Sequence, residues 1–134
     1  MLLELILILQ LKIIFTEKPQ IDCGVANAGA CIIYQTNTIY LGYRDNINYN
    51  LYHEIGHAIF RYDNFGYKNI IKDYEGFDET YLVINGNSDD KILGERVADY
   101  FAEYMTRNKE FSVKYPCLYI YFRDIVDEII TKGR

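Results

Sequence analysis

Leu51-Tyr52-His53-Glu54-Ile55-Gly56-His57-Ala58-Ile59-Phe60-Arg61-Tyr62 is the stretch on which the reading of this chain turns. Leu51, Ile55 and Ile59 recur at the spacing of one helix face, and Asn46 to Asn50 ahead of them offers capping residues. The expected element is an amphipathic helix from Leu51 to Tyr62. Inside it, His53-Glu54-Ile55-Gly56-His57 is an HExxH sequence that uses both histidines of the protein. Two histidines placed at random would stand four apart with Glu after the first in roughly one shuffle in a thousand. On a helix, positions i and i+4 lie one above the other, so both imidazoles can reach one tetrahedral zinc ion at about 2.0–2.1 Å. Glu54 projects beside the pair. There its carboxylate can accept a proton from zinc-bound water, whose pKa falls to about 7, and pass it to a leaving amine. Peptide hydrolysis is the reaction to which this arrangement points.

Catalytic zinc takes a third protein ligand and keeps a position open for water. The histidines are used up, and Cys23, Cys31 and Cys117 form no CxxC pair, so a carboxylate is expected. A second helix is expected from the capping candidates Ser88, Asp89 and Asp90 through about Arg107, carrying Ile92, Val97, Ala98, Phe101, Ala102 and Met105. Within it, Glu95 and Asp99 stand four apart on one face, and Ala98 and Ala102 permit close approach of another helix. Glu95 is therefore the expected third ligand. Asp99 is expected to accept the far N–H of an imidazole, that of His53, fixing its tautomer. Two other acids compete for the ligand position. Asp63 stands six residues after His57, the register of the last ligand in HExxHxxGxxH proteins, but Phe60 occupies the place of the glycine that ends their helix. Asp78, in Gly76-Phe77-Asp78-Glu79-Thr80-Tyr81, loosely matches a GTxDxxYG segment but is one residue short.

Around these helices the remaining signals are those of a small sheet. Leu9 to Phe15 alternates as a strand, and the residues before it either extend that strand or form a short helix. Gly24 to Ala30 is small and flexible. Cys31 to Gln35 and Thr38 to Leu41 read as a β-hairpin joined at Thr36-Asn37. From Asp63 to Asp90 a polar excursion is broken by Gly66, Gly76 and Gly86, with only Tyr81 to Ile84 strand-like. After Pro116, the run Leu118 to Ile130 places Phe122, Val126 and Ile129 at helical spacing, and Gly133 closes a third helix. The expected architecture is one α+β domain over residues 1–134, a small antiparallel or mixed sheet packed on about three helices.

Composition narrows the function classes. The chain has 134 residues, half of them hydrophobic and a quarter charged, with a net charge of -5, which argues for a folded domain and against a phosphate-gripping nucleic-acid surface. An odd number of cysteines fits neither a disulfide framework nor a cysteine zinc site, so reduced thiols and a cytoplasmic setting are expected. Leu2 to Phe15 is too short to span a membrane, is interrupted by Glu4, Gln10 and Lys12, and lacks the basic start of a signal peptide.

With both motifs in view, the chain resembles the ImmA/IrrE family of zinc metallopeptidases, a gluzincin-like group marked by HExxH and a later E-x-x-A-[DN]-x-F-A helix. The second motif reads here Glu95-Arg96-Val97-Ala98-Asp99-Tyr100-Phe101-Ala102. The resemblance covers roughly Ile32 to Met105. It implies a zincin-like fold, one zinc ion on His53, His57 and Glu95, Glu54 as the catalytic acid/base, and a protein substrate. That substrate would be a helix-turn-helix transcriptional repressor of a phage or mobile element, so the peptidase would touch neither nucleic acid nor membrane. The chain departs from the family pattern at Asn50-Leu51-Tyr52, where Thr-x-x is common, and at Tyr104-Met105-Thr106-Arg107, where Leu-Leu-Met-Pro is common. Two other functions compete: a non-catalytic zinc-binding module that engages a repressor without cutting it, and an interaction protein without metal. An oxyanion donor would be a Tyr, His or Arg, and fourteen tyrosines leave that choice open.

Overall fold

The run Ile39-Tyr40-Leu41 lies at the middle of the sheet. A computed structural model describes residues 2–26, 28–43, 46–62 and 90–133. In chain order these form α1 (Leu2–Ile8), β1 (Lys12–Thr16), α2 (Pro19–Asp22), β2 (Ala30–Ile33), β3 (Thr38–Gly42), α3 (Ile47–Tyr62), α4 (Asp90–Thr106), α5 (Asn108–Lys114) and α6 (Pro116–Lys132). The architecture is α+β, with a three-stranded mixed sheet in the order β1-β3-β2. β2 pairs antiparallel with β3, Ile32 opposite Ile39, and β1 pairs parallel with β3, Ile13 opposite Ile39. Asn37 closes the hairpin at φ +50°, a left-handed conformation that Asn tolerates better than most residues. The central strand is the most buried, as a strand flanked on both edges should be.

The connection from β1 to β2 passes the end of β3. Gly42 donates its N–H to the Gly29 carbonyl at 2.9 Å, and a Cβ at Gly42 would lie 2.8 Å from that oxygen and 2.9 Å from Pro19. Only glycine fits there. The same connection corrects the expectation of three free thiols, because Cys23 and Cys31 form a disulfide. The turn after α2 brings their Cα atoms to 5.9 Å, inside the bridging range of about 4.4–6.8 Å, and Cys117 alone stays free. Spacing along the chain carries no trace of that approach.

Three long helices, α3, α4 and α6 with 16, 17 and 17 residues, correspond to the three expected ones. Three shorter helices, α1, α2 and α5, raise the total among the described residues to six. Each has only one buried anchor, Leu5, Pro19 and Phe111 respectively, too little for a periodic pattern. The open choice before β1 resolves as helix, because Gln10 at φ +56° turns the chain and delays the strand to Lys12. α3 begins at Ile47, a turn earlier than Leu51, so Asn48 and Asn50 lie inside it rather than before it. The excursion, with Tyr81 to Ile84, Asp63, Asp78, Ser88 and Asp89, lies outside the described residues.

α3 packs against β2, β3 and α4. Its contact with α4 is made through small residues: a Cβ at Gly56 would lie 2.8 Å from Ala98 Cα and 3.1 Å from Phe101 Cβ. The helices therefore touch backbone to backbone at Gly56 and Ala98. His53 and His57 stand three before and one after Gly56, while Glu95 and Asp99 stand three before and one after Ala98. One crossing point thus sets both pairs against each other. Away from it, Tyr100, Phe101, Tyr104, Phe111, Leu118, Phe122 and Val126 are buried between α4, α5 and α6. α1 lies along α6, with Ile8 filling the space that a side chain at Gly133 would need. No helix among the described residues is long and apolar enough to cross a membrane.

Candidate metal centre

The rings of His53 and His57 stand 4.9 Å apart, centroid to centroid, at 81° to each other on α3. The Glu95 carboxylate lies across them, with Oε2 3.2 Å from His53 Nε2 and Oε1 3.1 Å from His57 Nε2. Among the described residues, these three form a group whose ligating atoms all lie within 4.8 Å of one another, so they could hold a metal ion. Two imidazole nitrogens and one carboxylate oxygen are a donor set that a metal ion could use.

Asp99 sits behind His53, its Oδ1 accepting from Nδ1 at 2.8 Å. The Tyr49 hydroxyl donates to the same oxygen at 3.2 Å. The His53 ring thus has a carboxylate at each nitrogen, and the Nδ1 contact would survive the replacement of a proton by a metal at Nε2. Burial alone would lower the His53 pKa, but the bonds to Asp99 and Glu95 outweigh it and push it up to about 10. Hydrogen bonds from His53 and then His57 hold the Glu95 carboxyl far below the usual carboxylate range. Both shifts reflect a carboxylate lying across two imidazole rings, at the place a cation would take.

Glu54 is 7% exposed and lines an open cleft of about 220 Å³ with His57, Glu95, Tyr34, Ala30, Cys31 and Ile32. Burial is the main cause that raises its pKa, with the two histidines pulling it back. A carboxyl raised in this way, beside two imidazoles and opening on a cleft, is matched to taking up and releasing a proton.

The structure brings together His53, Glu54, His57, Glu95 and Asp99. Asp63 and Asp78 lie outside the described residues. Sequence reading does not place Tyr49, Tyr34 or Cys31 at this site. Tyr49 had a signal, since it stands four before His53 on the same helix face, but that face was read as starting at Leu51. Tyr34 and Cys31 had none, because only the pairing of β2 with β3 and its packing on α3 carries them to the cleft.

No family model, no curated protein and no solved structure matches the chain. The functional reading therefore stands on the residues and their geometry.

Proposed function

We propose that this chain is a zinc-dependent endopeptidase of the ImmA/IrrE kind. The observation that carries the reading is the Gly56–Ala98 contact, which gathers two imidazoles and the Glu95 carboxylate within 4.8 Å while Glu54 opens on the same cleft. When bound, zinc supplies Lewis-acid polarisation of the scissile carbonyl and brings the pKa of a coordinated water to about 7.

The chain's own residues do the rest. Glu54 takes a proton from the attacking water as the water oxygen bonds to the carbonyl carbon. It then delivers that proton to the nitrogen as the C–N bond breaks, leaving a carboxylate and an amine. Asp99 holds His53 in the orientation that presents Nε2. The substrate in this reading is a helix-turn-helix repressor of a phage or mobile element, a proposal resting on the two-motif resemblance. In this reading cleavage takes place in the cytoplasm.

Elemental analysis of wild type, His57→Ala and Glu95→Ala comes first. The expected result is about one zinc per wild-type chain, lost or strongly weakened in both variants. Incubation with a peptide library, read by mass spectrometry for new termini, should then show cleavage by wild type and none by zinc-loaded Glu54→Gln. Cleavage by Glu54→Gln at the wild-type rate overturns the mechanism. Zinc retained in Glu95→Ala moves the third ligand elsewhere.

A further inference from the structure

Peptide hydrolysis passes through a tetrahedral stage in which the former carbonyl oxygen carries negative charge. A preorganised donor aimed at that oxygen strengthens its binding there more than in the ground state. Composition leaves fourteen tyrosines undistinguished for this task. Among the described residues the fold distinguishes several of them. Tyr49 is committed to Asp99, and Tyr100, Tyr104 and Tyr115 make edge-on and tilted ring contacts within the aromatic layer under α4. Tyr34 lines the cleft together with Glu54, His57 and Glu95.

Two features fix Tyr34 in place. Its carbonyl accepts the Asn37 N–H at 3.3 Å in the β2–β3 turn, which anchors the backbone. Its ring carries the Arg61 guanidinium 4.5 Å from the centroid, and Arg61 stands one helical turn beyond His57 on α3. The ring is therefore tied to the helix that bears the histidines.

Resting on the peptidase reading, we propose that Tyr34 is a catalytic residue whose phenol donates a hydrogen bond to the scissile carbonyl oxygen as that oxygen gains charge. The phenol remains a donor throughout. Burial first, and the Glu54 carboxylate second, push its pKa up to about 12, with Arg61 pulling the other way. No proton leaves Tyr34: the water proton travels through Glu54 to the nitrogen, and the phenol only lends its hydrogen bond.

Tyr34→Phe removes the hydroxyl and keeps the ring and its contact with Arg61. Zinc-loaded wild type, Tyr34→Phe and Glu54→Gln are compared on a library peptide that wild type cleaves. They are also compared by calorimetry on a phosphinate tripeptide, whose P–O⁻ group imitates the charged tetrahedral carbon. The expected result for Tyr34→Phe is unchanged zinc content, KM within about twofold of wild type and kcat about 10²-fold lower. The phosphinate should weaken by a comparable factor. Equal kcat and equal phosphinate affinity overturn the role of Tyr34 but leave proteolysis standing, because wild type still cuts and Glu54→Gln does not. Zinc loss or a raised KM with kcat intact marks a structural residue and also overturns the proposal. Wild type that holds zinc yet neither cuts nor binds the phosphinate overturns Tyr34 and the peptidase reading together.

Discussion

The two sides of α4 carry opposite chemistries. Toward α3, Ala98 meets Gly56 and is flanked by Glu95 and Asp99, whose side chains remain 56% and 58% exposed. Toward α5 and α6, Phe101 and Tyr104 are buried with Phe111 and Phe122; Phe101 and Phe111 each pair with Tyr104 and Phe122, Tyr104 pairs with Phe122, and Phe111 also meets Tyr100, with ring centroids 5.5 to 6.3 Å apart. The aromatic side gains apolar burial at about 25 cal/mol per Å², and each ring pair adds about 0.5–1.5 kcal/mol. The polar side gathers three carboxylates around two imidazoles, one of the acids buried, which burial energy alone would not assemble. Rigid packing on one side is what allows hydrogen-bond precision on the other.

Deleting Phe122 is the strongest test of that division. The ring is 1% exposed and touches Phe101, Tyr104 and Phe111, so Phe122→Ala should cost about 3–5 kcal/mol, read as a lower urea midpoint. Zinc stoichiometry of the molecules that remain folded should not change. Gly56→Ala should give the reverse pattern. Its Cβ would meet Ala98 backbone at 2.8 Å, so the helices must part. Overpacking of about 1–3 kcal/mol then exceeds the gain of up to about 1 kcal/mol in helix propensity. Because the same contact spaces Glu95 from the histidines, zinc affinity should fall more steeply than stability. Matching losses of stability and zinc binding in the two variants would erase the distinction.

The same division explains what could be read from the chain without its fold. Glu54, His53 and His57 are local on one helix, so their spacing carries their geometry. Glu95 and Asp99 were legible because they stand four apart on a helix whose Ala98 and Ala102 permit close approach, and the crossing does use Ala98, against Gly56. The aromatic side supplied the long helix α6 through the spacing of Phe122, Val126 and Ile129. It hid α5, where Phe111 is the single buried residue in a seven-residue helix. Tyr34 and the Cys23–Cys31 disulfide were illegible for a different reason. Both depend on where a crossover connection and a hairpin land relative to α3, and register between non-local segments leaves no periodic mark.

Asp99→Asn sharpens the comparison within the polar side itself. The side chain keeps its shape and loses the charge that accepts from His53 Nδ1 at 2.8 Å. Removing such a partner typically weakens a metal by about 10–100-fold. Competition with a chromophoric chelator should find that factor in zinc affinity, with the urea midpoint of the metal-free protein moving far less than in Phe122→Ala. A zinc affinity equal to wild type would make Asp99 a solvated acid that merely lies near the ring.

The smallest effect is expected one step further out. Tyr49 does not touch the ligating atoms; its hydroxyl donates to Asp99 Oδ1 at 3.2 Å, on the same helix face as His53. Burial and the Asp99 charge push its pKa up to about 12, so it stays a donor. Tyr49→Phe leaves the ring in place and withdraws one hydrogen bond, worth about 0.5–1.5 kcal/mol, from a carboxylate that is more than half exposed and that water can reach. Zinc affinity should therefore drop by only about twofold to fivefold, and the double variant with Asp99→Asn should be no weaker than Asp99→Asn alone. Additive losses in that cycle would mean that Tyr49 acts on the site by a route other than Asp99. The relay from helix packing to His53 would then not run through the carboxylate.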